Sequence, residues 1–321
     1  MIITTALLIL MKAKTWYSLR QETSKKIMNT DILCEVMYSA GQKNKAEKCL
    51  EEAFAMMRKF EIRYSRFKKN NELWKLNQST ERTVSQELFN ILSGSQYFYS
   101  LTDGLFDPSI LPALEKEGYA STPYNDTAST PRKKTLSQLH LNSSALTAIK
   151  PRDLFIDLGG IGKGYIVDQV TAYLSLHFDN FIVDAGGDIY ARGTNKKEDY
   201  PYWVVEIEHP DAENTPVALL LLKDMAVATS GRNRRHWIKD QQNKHHIIDP
   251  RTNKSASPDF LSVTVIAAST ISADVLAKFL FIAGREKAYL LAEKFRIPAI
   301  FIESGGSISI NHYAEPYVWK A

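Results

Sequence analysis

Lys163 is a single cation set among glycines. Residues 153–168 read DLFIDLGGIGKGYIVD, so Gly159, Gly160, Gly162 and Gly164 surround it almost without side chains. Leu154, Phe155, Ile156 and Leu158 predict a short buried strand before the turn. After it, Ile166, Val170, Tyr173 and Leu174 recur at the spacing of one helix face. A strand that runs through such a turn into a helix aims backbone N–H groups and the positive end of the helix at one point, where a phosphate or another anion settles. Two well-known glycine signatures fail here. A P-loop needs Ser or Thr after Lys163, where Gly164 stands, and the dinucleotide pattern begun at Gly160 needs glycine at Tyr165. An anion cradle stays open beside a plainer reading, a tight strand–helix connection whose glycines serve packing alone.

Asp274 is the sharpest acidic residue. It lies one turn into an otherwise apolar helical stretch, behind the cap candidates Ser269, Thr270 and Ser272. A carboxylate buried there requires a positive partner. A divalent metal ion is one answer, and Lys278, four residues on over the same face, is another. His245 and His246 open HHIIDPRT, which joins a candidate general base to a carboxylate and a cation at a strand end. A hydrogen-bonded turn is the alternative for either histidine. Arg232, Arg234 and Arg235 meet a phosphate or face solvent, Asp188 follows a Gly-Gly turn, and Asp107 follows Leu105 and Phe106.

Elements to hold these groups are legible around them. Apolar runs predict strands at residues 32–37, 181–183, 189–192, 203–207, 217–222, 226–229, 261–267, 299–302 and 308–310. Helical spacing predicts helices at 46–60, 86–101, 272–283 and 286–295, with a short one ending near Asn77. Residues 237–239 and 245–248 read as a hairpin around 240–243, and 118–134 as a long loop. Strands and helices mixed, with hairpins and no internal repeat, predict one α+β domain. The 321 residues are 44% hydrophobic and 24% charged, an ordinary globular balance. A net charge of +4 without a long basic block argues against nucleic acid as a partner. Cys34 and Cys49 lack metal-ligand spacing. Residues 2–11 are apolar but too short to cross a bilayer, and they carry no leading basic residue, cleavage site or nearby cysteine. The expectation is no transmembrane span and a cytoplasmic location ahead of export; the stretch reads as a degraded export signal, an extra strand, or an upstream extension before an alternative start at Met11.

In chain order, DLGGIGKGYIVD, DAGGDIYARG, ATSGR, HHIIDPRT and SVTVIAASTISADVLAKFLFIAG resemble the ApbE family, the FAD:protein FMN transferases. The likeness begins earlier, with MNT at 28–30, YSRFKKNNELWKLN at 64–77 and TDGLFDPS at 102–109, and runs to about Ile310. It implies a single α+β fold of two lobes with an FAD cleft between them. Residues 21–312 form that domain, after an extension at 1–20 and before a tail at 313–321.

By position, the resemblance places Met28, Phe67, Leu105, Phe106, Asp107, Gly159, Lys163, Tyr165 and Ile248 at the FAD site. It implies Mg²⁺ held by the Gly162 carbonyl and by Asp274, and it makes His246 the base. The implied reaction moves FMN from FAD to a Thr or Ser hydroxyl of an acceptor protein with an FMN-binding domain, and AMP leaves. Hydrolysis of FAD to FMN and AMP, or FAD binding without catalysis, are the rival readings.

Three positions depart from the family pattern. Lys278 stands where a metal-contacting threonine is usual, and an ammonium has no lone pair to give a metal. Gly162 replaces the commoner alanine, a mild change because either supplies a backbone carbonyl. Asn253 replaces glycine after DPRT, and Asn accepts left-handed backbone angles.

Overall fold

Ile32, Cys34 and Val36 alternate along one strand and are fully buried on one face, which sets the plane of the main sheet. That strand, β2 (Thr30–Tyr38), forms a hairpin with β1 (Leu19–Ile27). The computed structural model describes residues 19–120, 122–123, 134–195, 201–232, 235–256 and 259–319. The apolar stretch at 2–11, most of the loop at 118–134 and Arg234 lie outside the described residues.

After the hairpin come α1 (Lys43–Tyr64), α2 (Glu72–Asn77), β3 (Glu81–Thr83), α3 (Gln86–Leu101) and α4 (Leu111–Lys116). β4 (His140–Asn142) and β5 (Thr147–Ile149) complete a small sheet with β3. Then α5 (Gly162–Ser175), β6 (Phe181–Ala185), β7 (Ile189–Arg192), β8 (Trp203–His209), β9 (Ala212–Leu222) and β10 (Met225–Gly231) follow. Two small hairpins come next, β11 (His236–Lys239) with β12 (Gln242–His245), and β13 (Ile248–Asp249) with β14 (Lys254–Ser255). The chain closes with β15 (Phe260–Ala267), α6 (Thr270–Ala283), α7 (Arg285–Lys294), β16 (Ala299–Glu303) and β17 (Ile308–Ile310).

The main sheet has the order β1-β2-β6-β7-β10-β15-β16-β17, and every neighbouring pair in it is antiparallel. Helices α1, α5 and α6 cover one face and the β8–β9 hairpin covers the other. Burial on both faces explains why β15 is an almost unbroken apolar run, FLSVTVIA. This is an α+β architecture with the helices gathered on one side of an antiparallel sheet. The segment after β17 packs back on the hairpin layer: Ala314 is buried, and Trp319 N–H donates to Leu219 O at 2.8 Å.

The strand expected at 154–158 does not form. No strand pairs with it; Ile156 is held by a side chain, since Asn77 Nδ2 donates to Ile156 O at 2.9 Å and Ile156 N–H donates to Asn77 Oδ1 at 2.8 Å. The expected hairpin is present with a tighter turn, since Asp240 and Gln241 alone connect its strands, both at positive φ.

Helices α5 and α6 are joined closely. Asp168 on α5 accepts from Thr270 N–H at 2.7 Å and Ile271 N–H at 3.0 Å, so its carboxylate satisfies the N-terminus of α6 from 102 residues away. Ser269 supplies the local cap, accepting from Ser272 N–H. Asp168→Asn keeps one acceptor but turns an NH₂ group towards the second N–H. It is expected to lower stability by roughly 1–2 kcal/mol. The urea midpoint measures this, and an unchanged midpoint would show that the bridge contributes nothing.

Candidate functional site

The β1–β2 turn, the end of α1, the turn after α3, the glycine turn, residues 246–250 and α6 converge on one cleft. It encloses about 1260 Å³ of atom-free space, its mouth included. Met28, at φ 56°, and Asn29, at φ 57°, form the two-residue turn between β1 and β2, and Met28 reaches the cleft wall. Leu105, Phe106 and Asp107 form another part of the wall, and Phe106 packs edge-on against Phe98 at 6.3 Å. Asp107 Oδ1 accepts from Ser109 N–H at 2.8 Å and from Ser109 Oγ at 2.7 Å, which fixes the turn. Phe67 is 49% exposed at the rim, and Ile248 lies opposite on the floor of β13.

Tyr165 is not on this wall. It is one layer back, stacked on Phe60 with ring centroids 5.9 Å apart, and Phe60 takes its place at the surface. Helical geometry turns residue 165 towards α1 once α5 begins at Gly162.

The glycine turn is less bare than its composition suggests. Asp157 Oδ1 accepts from Gly159 N–H at 3.1 Å, and Leu158 O accepts from Ile161 and Gly162 N–H. Helix α5, however, starts with no side-chain cap and no acidic residue in its first turn. Gly162 N–H is already bonded, but the helix dipole meets no acidic side chain in the first turn and can favour an anion, and Lys163 stands on the wall beside it. Gly164 allows this placement: a Cβ there would lie 2.7 Å from Ile271 Cα and 2.9 Å from Thr270 O.

Two lysines line the cleft, each backed by a buried carboxylate. Lys163 Nζ is 2.6 Å from Asp188 Oδ2, and Lys278 Nζ donates to Asp274 Oδ1. The pairs are neighbours. Burial pushes Asp274 up to about 6, Asp188 pushes the same way, and Lys278 and Lys163 oppose both. Asp274 Oδ2 has no hydrogen-bond partner among the described residues.

The two adjacent histidines part where β12 ends at His245 and the chain bends at His246. His245 points inward, with its Nε2 2.6 Å from Ala256 O, and its Nδ1 accepts from Ile247 N–H at 3.3 Å. His246 points to the cleft, and its Nδ1 has no partner among the described residues. Burial holds the His246 imidazole well below its ordinary range, reinforced by Arg235, Lys278, His245 and Lys163. It is neutral at pH 7, the form a general base requires.

Arg66 was not among the residues the sequence singled out. It is 5% exposed, sits between the Phe67 ring at 4.7 Å and the Tyr119 ring at 4.5 Å, and faces Asp157 Oδ2 at 3.7 Å. Its two terminal nitrogens have no hydrogen-bond partner among the described residues. The signal was a charged residue inside the aromatic run YSRF. Arg235 also reaches the wall, donating to Tyr119 OH at 3.3 Å. Four cationic side chains thus face one cleft, an arrangement suited to a polyanion with aromatic parts.

The family model for the ApbE family matches residues 28–301. The chain belongs to the ApbE family. The FAD:protein FMN transferase of Haemophilus influenzae is 28% identical over 296 residues, covering 87% of this chain and 85% of that protein. The FAD:protein FMN transferase of Vibrio cholerae is 30% identical over 250 residues, 74% of each chain. Among solved structures, the ApbE protein of Thermotoga maritima superposes with a TM-score of 0.83 at 26% identity, covering 94% of this chain and all of that one. The flavin transferase ApbE of Vibrio cholerae does so with a TM-score of 0.80 at 26% identity, covering 93% of this chain and 99% of that one.

The magnesium site expected for an ApbE-family chain does not fit the residues present. Mg²⁺ asks for about six oxygen ligands. Waters and substrate phosphates supply most of them beside one or two carboxylates, and of the expected protein ligands, the Gly162 carbonyl and Asp274, the carboxylate offers one uncommitted oxygen. Lys278 cannot be a ligand, and its ammonium already occupies the other carboxylate oxygen. A dication about 4 Å from that ammonium would meet roughly 8 kcal/mol of repulsion at the effective dielectric of a protein surface.

Proposed function

We propose that this chain transfers FMN from FAD to a Thr or Ser hydroxyl of an acceptor protein, releasing AMP. The observation that carries this reading is the cleft itself. A neutral His246, its Nδ1 without a partner among the described residues, faces the same space as the uncapped start of α5 and the two anchored lysines. In this reading the FAD pyrophosphate lies against Lys163, Lys278 and the start of α5. Phe67, Phe106, Met28 and Ile248 provide the apolar surfaces for the flavin and adenine rings.

The acceptor oxygen forms a bond to the phosphorus on the FMN side. The bond between that phosphorus and the bridging oxygen breaks, and AMP leaves with the electron pair. The hydroxyl proton passes to His246. The fixed ammonium groups stabilise the charge that grows on the leaving phosphate. Arg66 and Arg235 add positive potential around the ligand without taking part in bond making.

Incubation with FAD and a recombinant FMN-binding domain tests the proposal. Flavin fluorescence that stays with the acceptor band after denaturing electrophoresis, with one AMP released per flavin attached, is the expected result. AMP and free FMN without a labelled band would mean hydrolysis, and neither product would mean a binding protein.

A further inference from the structure

We propose that Lys278 replaces the divalent ion, so that this chain performs its group transfer with tethered ammonium charges and without a dissociable metal. The inference rests on the FMN-transfer reading above.

Position is the first argument. Lys278 lines the cleft, while Asp274 lies behind it, so the ammonium stands between that carboxylate and any ligand in the cleft. The stem of Lys278 also runs along the glycine turn. Its Cδ and Cε would be 3.8 Å from a Cβ placed at Gly160. The charge is therefore delivered where the start of α5 would meet a diphosphate.

Anchoring is the second. Lys278 Nζ donates to Asp274 Oδ1 and, at 3.3 Å, to the backbone oxygen of the same residue. A flexible four-carbon stem is thereby held in one place, which an unpaired surface lysine would not be. Lys163 on Asp188 repeats the arrangement from the other side. Each unit is one cation leaning on one buried anion.

Charge is the third. Two carboxylates and two ammonium groups sum to zero before a ligand arrives. A dication would have one free oxygen of Asp274 to hold it. The arriving diphosphate can meet the two ammonium groups directly. When its P–O bond to AMP breaks, the departing phosphate keeps the electron pair and remains beside them, while the acceptor proton goes to His246.

The test uses the full chain and two independent readouts. Wild type assayed after exhaustive EDTA treatment is expected to label the acceptor at the same rate as with added Mg²⁺. Titration with Mn²⁺, followed by electron paramagnetic resonance, is expected to show no bound ion. Lys278→Thr is expected to lose about 100-fold of the EDTA-resistant rate, the scale of one lost transition-state contact, and to bind Mn²⁺. Loss of wild-type activity in EDTA with recovery in Mg²⁺ would overturn the proposal. So would stoichiometric Mn²⁺ on the wild-type protein, or a Lys278→Thr enzyme that keeps the EDTA-resistant rate. If Lys278→Thr does not fold, the two wild-type measurements decide the matter alone. If no condition labels the acceptor, the transfer reading has failed, and Mn²⁺ binding still judges the ammonium-for-metal replacement.

Discussion

Replacing His246 by alanine is expected to leave FAD binding intact and to slow transfer about 10²- to 10⁴-fold, the range a positioned general base supplies. The ring ends at the cleft wall with Nδ1 unpaired among the described residues, so truncating it takes no Nδ1 hydrogen bond from the surrounding scaffold. Its neighbour gives the contrast. His245 holds Ala256 O at 2.6 Å, and His245→Ala should therefore cost stability rather than chemistry. The pH profile adds a second check. Burial and the surrounding cations hold His246 below its ordinary range, so the neutral base persists as pH falls through 6.5. The acid limb of kcat/KM should lie below pH 6.5 in wild type, and the part owed to this group should vanish in the alanine variant. Transfer at the wild-type rate in His246→Ala would remove the base assignment.

Gly164→Ala is expected to destabilise the protein, although alanine is the better helix former by about 1 kcal/mol. The new methyl would sit 2.7 Å from Ile271 Cα, 2.9 Å from Ile271 N and 2.9 Å from Thr270 O. All three are backbone atoms, so no side chain can swing away. Helices α5 and α6 must part, and overpacking of this kind costs about 1–3 kcal/mol. Separating them also strains the Asp168 bridge to Thr270 and Ile271. Urea unfolding together with FAD titration checks both consequences. A variant more stable than wild type would mean that helix propensity outweighs the contact.

Continuous apolar strands such as β2, β6, β15 and β16 were legible because they lie inside the sheet and one face of each is always covered. β1 was not, because LRQETSKKI is an edge strand whose exposed face carries charges and whose other face is only partly covered. Residues 154–158 looked like a strand because Leu154, Phe155, Ile156 and Leu158 are apolar, yet the hydrogen bonds that hold Ile156 come from Asn77. No local pattern announces a partner 79 residues away.

The site divides in the same manner. Gly162, Lys163, His246 and Asp274 belong to ordered motifs, and the structure gathers them around one cleft, with Asp274 just behind its wall. Tyr165 shared the motif but not the surface, because one helical turn carries it behind Phe60. Arg66 was passed over because a lone arginine beside phenylalanine reads as a solvent-facing charge until the fold brings Tyr119 across it. Lys278 could be read as a helix pair with Asp274, but its place in front of that carboxylate required three dimensions.

The left-handed Met28–Asn29 turn has a bearing on attempts to make this protein more robust. A hairpin of this shape favours Asn-Gly, and a designer guided by turn statistics would write that pair in. The hairpin would gain, and the thioether would be gone from the wall it helps to build. In the proposed reading, backbone comfort and ligand fit make opposite demands at residue 28, so thermostable variants selected without a flavin assay should drift towards loss of affinity there.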